Sequence, residues 1–176
     1  MMEKFRLKNG KEVEIRTLVI EDYEAVQTFM ALLTTQTIFT NQYPGQPKGE
    51  REQSEKKYAD PNACFLGTFS DGKVISVCSI NIAKPDHPWI GGNAGFGITI
   101  LEEYRGQGLG THLMKLMEDW ARARGVHRIS SWVRHKNIHG IALYLKCGFE
   151  IEGLAREVAL INGEWHHQYH IGKILK

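Results

Sequence analysis

Six residues, Arg105-Gly106-Gln107-Gly108-Leu109-Gly110, carry three alternating glycines. They directly precede a run in which Leu109, Leu113, Leu116, Met117 and Trp120 recur at helical spacing. Without a Cβ, glycine admits unusual backbone angles and lets a ligand approach the amides closely. The first amides of a helix have no partner within it and sit at the positive end of its dipole. A glycine-rich turn at that position suits a phosphate or pyrophosphate. The same residues would also serve as a flexible strand-to-helix turn that binds nothing. A P-loop requires Gly-Lys-Ser/Thr, whereas Gly110 is followed by Thr111 and His112. A dinucleotide fingerprint spaces its glycines GxGxxG straight after a strand. Here the spacing is GxGxG, and Leu101-Glu102-Glu103-Tyr104 separate it from the apolar residues 96–100. Neither standard nucleotide loop fits.

Asn137 and Tyr144 form a second constellation. Seven residues are two helical turns, so both lie on one face, about 10.5 Å apart along the axis. Taken alone, Tyr144 reads as a core aromatic among Ile141, Leu143 and Leu145. Near the end of the chain stand His166, His167 and His170. Adjacent strand residues point to opposite faces, which disfavours a metal and suits the lining of a pocket. No metal is expected.

The elements that must position these residues follow from periodicity. Residues 11–18 alternate, with Val13 and Ile15 on one face, and predict a first strand. Glu21-Asp22 open a helix that aligns Tyr23, Val26, Phe29, Met30 and Leu33. Residues 34–61 are polar and irregular, with a short charged helix over 50–58. Phe39 and Tyr43 there suit either a substrate wall or anchors for the loop. Residues 64–69 and 73–83 read as a hairpin around Ser70-Asp71-Gly72. Residues 93–101 form the strand into the glycine turn, where Gly95 and Gly97 mark a bulge or a close backbone approach. The helix after the turn ends in a cationic last turn and Gly125. A strand over 126–133 leads to Arg134-His135-Lys136, a basic elbow that faces phosphates or is simply solvated. Asn137 caps a helix over 138–147 that Gly148 ends. The tail predicts strands near 149–154 and 157–161, then an Asn162-Gly163 turn into 165–175.

A chain of 176 residues suits one domain, spanning 1–176. A net charge of +2 with mixed signs is no nucleic-acid footprint. Three widely spaced cysteines, Cys64, Cys78 and Cys147, favour reduced thiols over a disulfide framework. The charged first ten residues lack the apolar core of a signal peptide, and no run is long enough for a membrane span. Cytoplasmic location is the expectation.

Two stretches together resemble a known family. The glycine turn resembles the acyl-CoA pyrophosphate loop, Gln/Arg-x-x-Gly-x-Gly/Ala, of the GNAT superfamily of N-acetyltransferases. Asn137-x-x-x-x-Ala142-Leu143-Tyr144-x-Lys146-x-Gly148-Phe149 resembles its second signature, one strand downstream. The likeness extends over nearly the whole element order. It implies an α/β fold of the α+β type: a mixed, mostly antiparallel sheet flanked by helices and splayed at the acyl-CoA site. It also implies acetyl-CoA as co-substrate, an amine acceptor, and, as a family-level expectation, a homodimer. Backbone groups of Ile98 and Ile100 would pair with the pantetheine arm. The amides of Arg105, Gly106, Gln107, Gly108, Leu109, Gly110 and Thr111 would hold the pyrophosphate. Asn137 would hydrogen-bond the pantetheine, and Tyr144 would protonate the leaving thiolate. A phenol near pKa 10 and a thiol near 8.5 are modestly mismatched for that exchange.

The chain departs from the family at Gly95, where many relatives carry a carboxylate that acts through water as base. Glu102 and Glu103 lie close to the pyrophosphate position, where like charge makes them poor bases. His135, His139, Glu152 and Glu157 remain as candidates. Deprotonating a lysine amine at pH 7.5 costs roughly 4 kcal/mol, against under about 1 for an α-amine. A site without an obvious base therefore suits a small amino-acid-like or peptidic α-amine. The competing reading is a non-catalytic acyl-CoA-binding regulatory module of the same fold, and neither reading calls for a nucleic-acid or membrane partner.

Overall fold

Alternating Val13 and Ile15, nearly inaccessible to solvent, set the inward face of a strand, and the same period recurs along the chain. The computed structural model describes residues 2–175. Strands β1 (Met2–Arg6) and β2 (Glu12–Thr17) are followed by helices α1 (Tyr23–Gln36) and α2 (Arg51–Ala59). Strands β3 (Ala63–Ser70), β4 (Lys73–Asn81) and β5 (Asn93–Ile100) come next. Helix α3 (Leu109–Arg122), strand β6 (Arg128–Arg134), helix α4 (Ile138–Lys146) and strands β7 (Glu150–Ile161) and β8 (Glu164–Ile174) complete the chain. The strands form one sheet in the order β1-β2-β3-β4-β5-β6-β8-β7. Every neighbouring pair is antiparallel except β5–β6. That parallel pair needs a long crossover, and α3 supplies it. The mixed, mostly antiparallel architecture is the one implied by the resemblance.

Two hairpins close as their turn residues dictate. Asp71 and Gly72 have φ of 50° and 75°, and Asn162 and Gly163 have 51° and 81°. Two consecutive positive φ values match the twist of flanking strands, and Asp-Gly and Asn-Gly tolerate them best. Helix α3 buries Leu109, Leu113, Met114, Leu116, Met117, Trp120 and Ala121, the stripe that periodicity predicts. Helix α1 buries Tyr23, Val26, Phe29 and Leu33, while Met30 is only partly covered. Among the described residues no helix is long and apolar enough to cross a membrane.

Three expectations need correction. The first strand of the chain is β1, which sequence periodicity missed: its five residues, Met2-Glu3-Lys4-Phe5-Arg6, carry charge at three positions and lie at the sheet edge. The two tail strands near 149–154 and 157–161 are one strand, β7. Its pairing with β8 shifts between Ala155 and Ala159, and Glu157 has φ of 52°, so an irregularity stands where a gap was read. No bulge appears at Gly95 or Gly97, because β4 and β5 pair in continuous register from Asn81–Gly95 to Ser76–Ile100.

The link between sheet and α1 is ionic. Arg16 holds Asp22 through Nη1–Oδ2 at 2.7 Å and Nη2–Oδ1 at 2.6 Å. Asp22 Oδ2 also accepts the Val19 amide at 3.0 Å, and Arg16 lies 4.0 Å from the Phe69 ring centroid. The hydrogen bonds from Arg16 outweigh burial and hold the Asp22 carboxyl below the usual range. A depressed folded pKa contributes stability above the unfolded value, about 3.9, and loses it as pH falls through the folded value. Asp22→Asn is expected to cost about 2 kcal/mol at pH 7. Denaturant melts should show that gap narrowing below about pH 4; a gap independent of pH would refute the assignment.

Candidate active site

Strands β5 and β6 part company early. They pair at Asn93–Arg128, Ala94–Ile129 and Gly95–Ser130, and no further. The Ser131 hydroxyl then donates to the Phe96 carbonyl at 2.8 Å, marking the apex of a fork. On its other edge β5 stays bound to β4, and the Leu101 amide donates to the Ile75 carbonyl at 3.0 Å. Backbone groups alternate sides along a strand, so those of Ile98 and Ile100 face the gap. The Ile100 carbonyl accepts from Arg105 Nε at 3.0 Å. An open edge of this kind is a template for an extended polar partner. A Cβ on Gly95 or Gly97 would make only ordinary contact, with Asn81 and Ser79 at 3.9 Å, so packing does not require glycine at either position.

The glycine turn lies at the top of this edge. Gly106 and Gly108 have φ of 71° and 88°, in the left-handed region that favours glycine. Gly108 is the residue before α3, and the first helical amide, His112, donates to its carbonyl at 3.2 Å. The amides of Leu109, Gly110 and Thr111 thus precede the hydrogen-bonded ladder. The third glycine serves packing: a Cβ on Gly110 would stand 3.0 Å from Leu143 Cδ2, so its absence lets α3 approach α4.

The missed strand β1 and the turn that follows it brace the glycine turn. Lys8 N donates to the Gln107 carbonyl at 3.2 Å, and Asn9 N donates to Gln107 Oε1 at 3.1 Å. His112 stacks on Phe5 with centroids 4.3 Å apart and pairs with Glu3 at 2.5 Å. No motif connects residues 3–9 with the glycine turn, so only the fold shows the contact.

Asn137 Oδ1 accepts the Gly140 amide at 3.0 Å, capping α4 as its residue type predicts. A Cβ on Gly140 would lie 2.6 Å from Asn137 Nδ2, so glycine makes room for the folded-back side chain. Two turns on, Tyr144 is buried, with its ring edge-on to Phe96 at 5.4 Å and tilted against Phe149 at 6.1 Å. Among the described residues its hydroxyl finds no hydrogen-bond partner. Burial raises its pKa to about 12. Desolvation disfavours the phenolate, so the buried phenol is a weaker proton donor than its residue type alone suggests. The phenol stays protonated at neutral pH.

The remaining candidates are placed as follows. Glu152 is bound through both oxygens to Arg128, whose hydrogen bonds hold the carboxyl below its usual range. Glu102 and Glu103 form an exposed turn beyond β5, and the Glu102 amide donates to Gln36 Oε1. His139 and Glu157 are exposed, and His135 Nδ1 accepts the His167 amide at 3.1 Å. The basic elbow is not uniformly solvated. Arg134 is 8% exposed, and its Nη2 donates to Asn41 Oδ1 at 3.2 Å. His166 is buried while His167 is partly exposed. No group of three or more His, Cys, Asp or Glu side chains among the described residues could hold a metal ion.

Comparison with known proteins bears on this geometry. The acetyltransferase (GNAT) family model matches residues 28–149. An L-amino acid N-acetyltransferase of Escherichia coli (strain K12) is 28% identical over 167 residues, covering 93% of this chain and 98% of its own. The crystal structure of a GNAT-family acetyltransferase from Streptococcus pneumoniae superposes with a TM-score of 0.84 at 25% identity, covering 93% and 99% of the two chains. A Salmonella typhimurium structure with acetyl-CoA as its cofactor reaches a TM-score of 0.78 at 17% identity, covering 93% and 94%.

The unpartnered phenol makes a prediction about stability. Removing a hydroxyl that bonds to no protein group forfeits no internal hydrogen bond. Tyr144→Phe should change unfolding free energy by less than about 1 kcal/mol in denaturant melts. A larger loss would mean that the hydroxyl supports the fold.

Proposed function

The chain belongs to the acetyltransferase (GNAT) family and is an N-acetyltransferase, and on that premise we propose that it transfers the acetyl group of acetyl-CoA to a small amino-acid-like or peptidic α-amine. The observation that carries this reading is the fork: a β5 edge left open beyond Gly95, leading straight to left-handed glycines at the head of α3. Backbone groups of Ile98 and Ile100 pair with the amides of the pantetheine arm. The amides of residues 105–111 receive the pyrophosphate, whose charge suits a helix N-terminus. The Asn137 amide meets the pantetheine while its oxygen caps α4. The whole of 1–176 acts as a single domain.

Acetyl-CoA brings an activated thioester, and the chain's part is to orient it and to manage protons. With a pKa raised by burial, the Tyr144 hydroxyl serves as a fixed hydrogen-bond donor to the sulfur as the carbon–sulfur bond breaks. Full proton transfer to the thiolate would be costly, so donation is the larger part of its role. On the acceptor side, β5 carries no carboxylate, and Glu152 is held in an ion pair. An acceptor that is already partly neutral at pH 7.5 avoids the roughly 4 kcal/mol that a lysine side chain would cost. The named activity of the Escherichia coli relative, on L-amino acids, supports an α-amine as the acceptor.

The test is thiol release from acetyl-CoA across amino acids, short peptides, polyamines and aminoglycosides. Turnover is expected on α-amines, with Tyr144→Phe lowering kcat by about 100-fold while CoA affinity holds. Equal or better turnover of lysine side chains overturns the acceptor class. CoA binding with no turnover on any amine supports the regulatory module instead.

A further inference from the structure

Two buried side-chain nitrogens lack a hydrogen-bond partner among the described residues: Arg134 Nε and His166 Nδ1. Both belong to the same region of the sheet. Arg134 pairs across the ladder with Gln168, so Arg134, Gln168 and, two residues along β8, His166 share one face. Ile129, on the other face of β6, lines a cavity with Met114 and Met117 of α3. Arg134 therefore points away from α3, to the side where Asn41 of the α1–α2 loop meets it. It stands three residues beyond Ser131, whose hydroxyl marks the fork apex.

A guanidinium with five donors, more than nine-tenths buried, is costly without an anion. Arg16, Arg122 and Arg128 each pair with a carboxylate. Arg134 has only the neutral amide oxygen of Asn41. No Asp or Glu among the described residues lies within ion-pair distance of it. Burial accordingly pulls its pKa down, with nothing opposing. Such a group asks for a planar anion supplied from outside the chain, and carboxylate matches its fork geometry.

We infer that Arg134 is the specificity-determining residue that receives the carboxylate of the amine acceptor, using its orphaned Nε–H and remaining donors, with Asn41 holding the guanidinium in place. This rests on the acetyl-transfer reading and narrows it: the acceptor is an α-amino acid bearing a free carboxylate. The thioester approaches along β5 under α3 and α4, and the acceptor reaches the fork from the opposite face. The buried and unpartnered His166 Nδ1 on that same face is a second polar group awaiting a ligand. Acceptors without a carboxylate gain nothing from the guanidinium, which is how the site disfavours them.

The test compares L-alanine, L-methionine and L-phenylalanine with their carboxamides as acceptors, in wild type, Arg134→Gln and Arg134→Lys. Wild type should favour the free acids in kcat/KM. Arg134→Gln should raise KM for the acids by about 10- to 100-fold and leave the amides nearly unchanged, with Arg134→Lys in between. Retention of the CoA-induced rise in Tm shows that each variant folds. A preference unaltered in Arg134→Gln, or wild-type turnover confined to amides or polyamines, overturns the assignment while the acetyl-transfer reading stands. Calorimetric binding of N-acetyl-L-methionine supplies a readout without turnover. Should no amine be acetylated, binding of this compound that Arg134→Gln abolishes would keep the anchor and discard the reaction. Binding indifferent to the substitution discards the anchor.

Discussion

The structure turns on a parallel strand pair that stops after three residues. Parallel neighbours require a crossover, so β5 and β6 force α3 to lie across the sheet. Because the pairing ends at Gly95–Ser130, the backbone groups of Ile98 and Ile100 lose their strand partners, and Arg105 Nε meets the Ile100 carbonyl instead. A sheet that leaves backbone polar groups unpaired in its middle must cover them or give them a ligand. The glycine turn, the α4 cap and Tyr144 are arranged around that single interruption.

Much of this was legible in the sequence, because the residues concerned have narrow physical options. Gly106 and Gly108 adopt left-handed angles that other residues resist, and Asn137 caps a helix as its side chain allows. Asp71-Gly72 and Asn162-Gly163 close hairpins for the same reason. What escaped depends on contacts remote in sequence. Strand β1 is an edge strand and carries charge, so its alternation is weak, and the grip of the turn after it on Gln107 spans about a hundred positions. The burial of Arg134 arises because the loop holding Asn41 folds over it, and a basic elbow gives no sign of that. For Gly95 and Gly97 a bulge and a close backbone approach were both open, and the continuous β4–β5 register removes the bulge.

The acid–base character of Tyr144 shows how burial shifts a group whose position helical spacing fixes. The phenol sits where the helical spacing puts it, yet its aromatic neighbours Phe96 and Phe149 remove it from water. Desolvation destabilises the phenolate, so the group is a better hydrogen-bond donor than a proton donor. Charge is handled oppositely elsewhere: Arg16–Asp22 and Arg128–Glu152 are ion pairs complete within the chain. Arg134, the one buried arginine among the described residues, has no such carboxylate.

The brace between β1 and the glycine turn couples two parts of the molecule that function alone would keep apart. Lys8 and Asn9 fix Gln107, and Phe5 stacks against His112 in the first turn of α3. Whatever occupies the turn's amides is thereby in thermodynamic linkage with the docking of the amino-terminal hairpin, and the coupling is reciprocal. The edge of the sheet thus helps to set where the turn's amides lie, and a change in β1 or in the turn that follows it is felt at the head of α3.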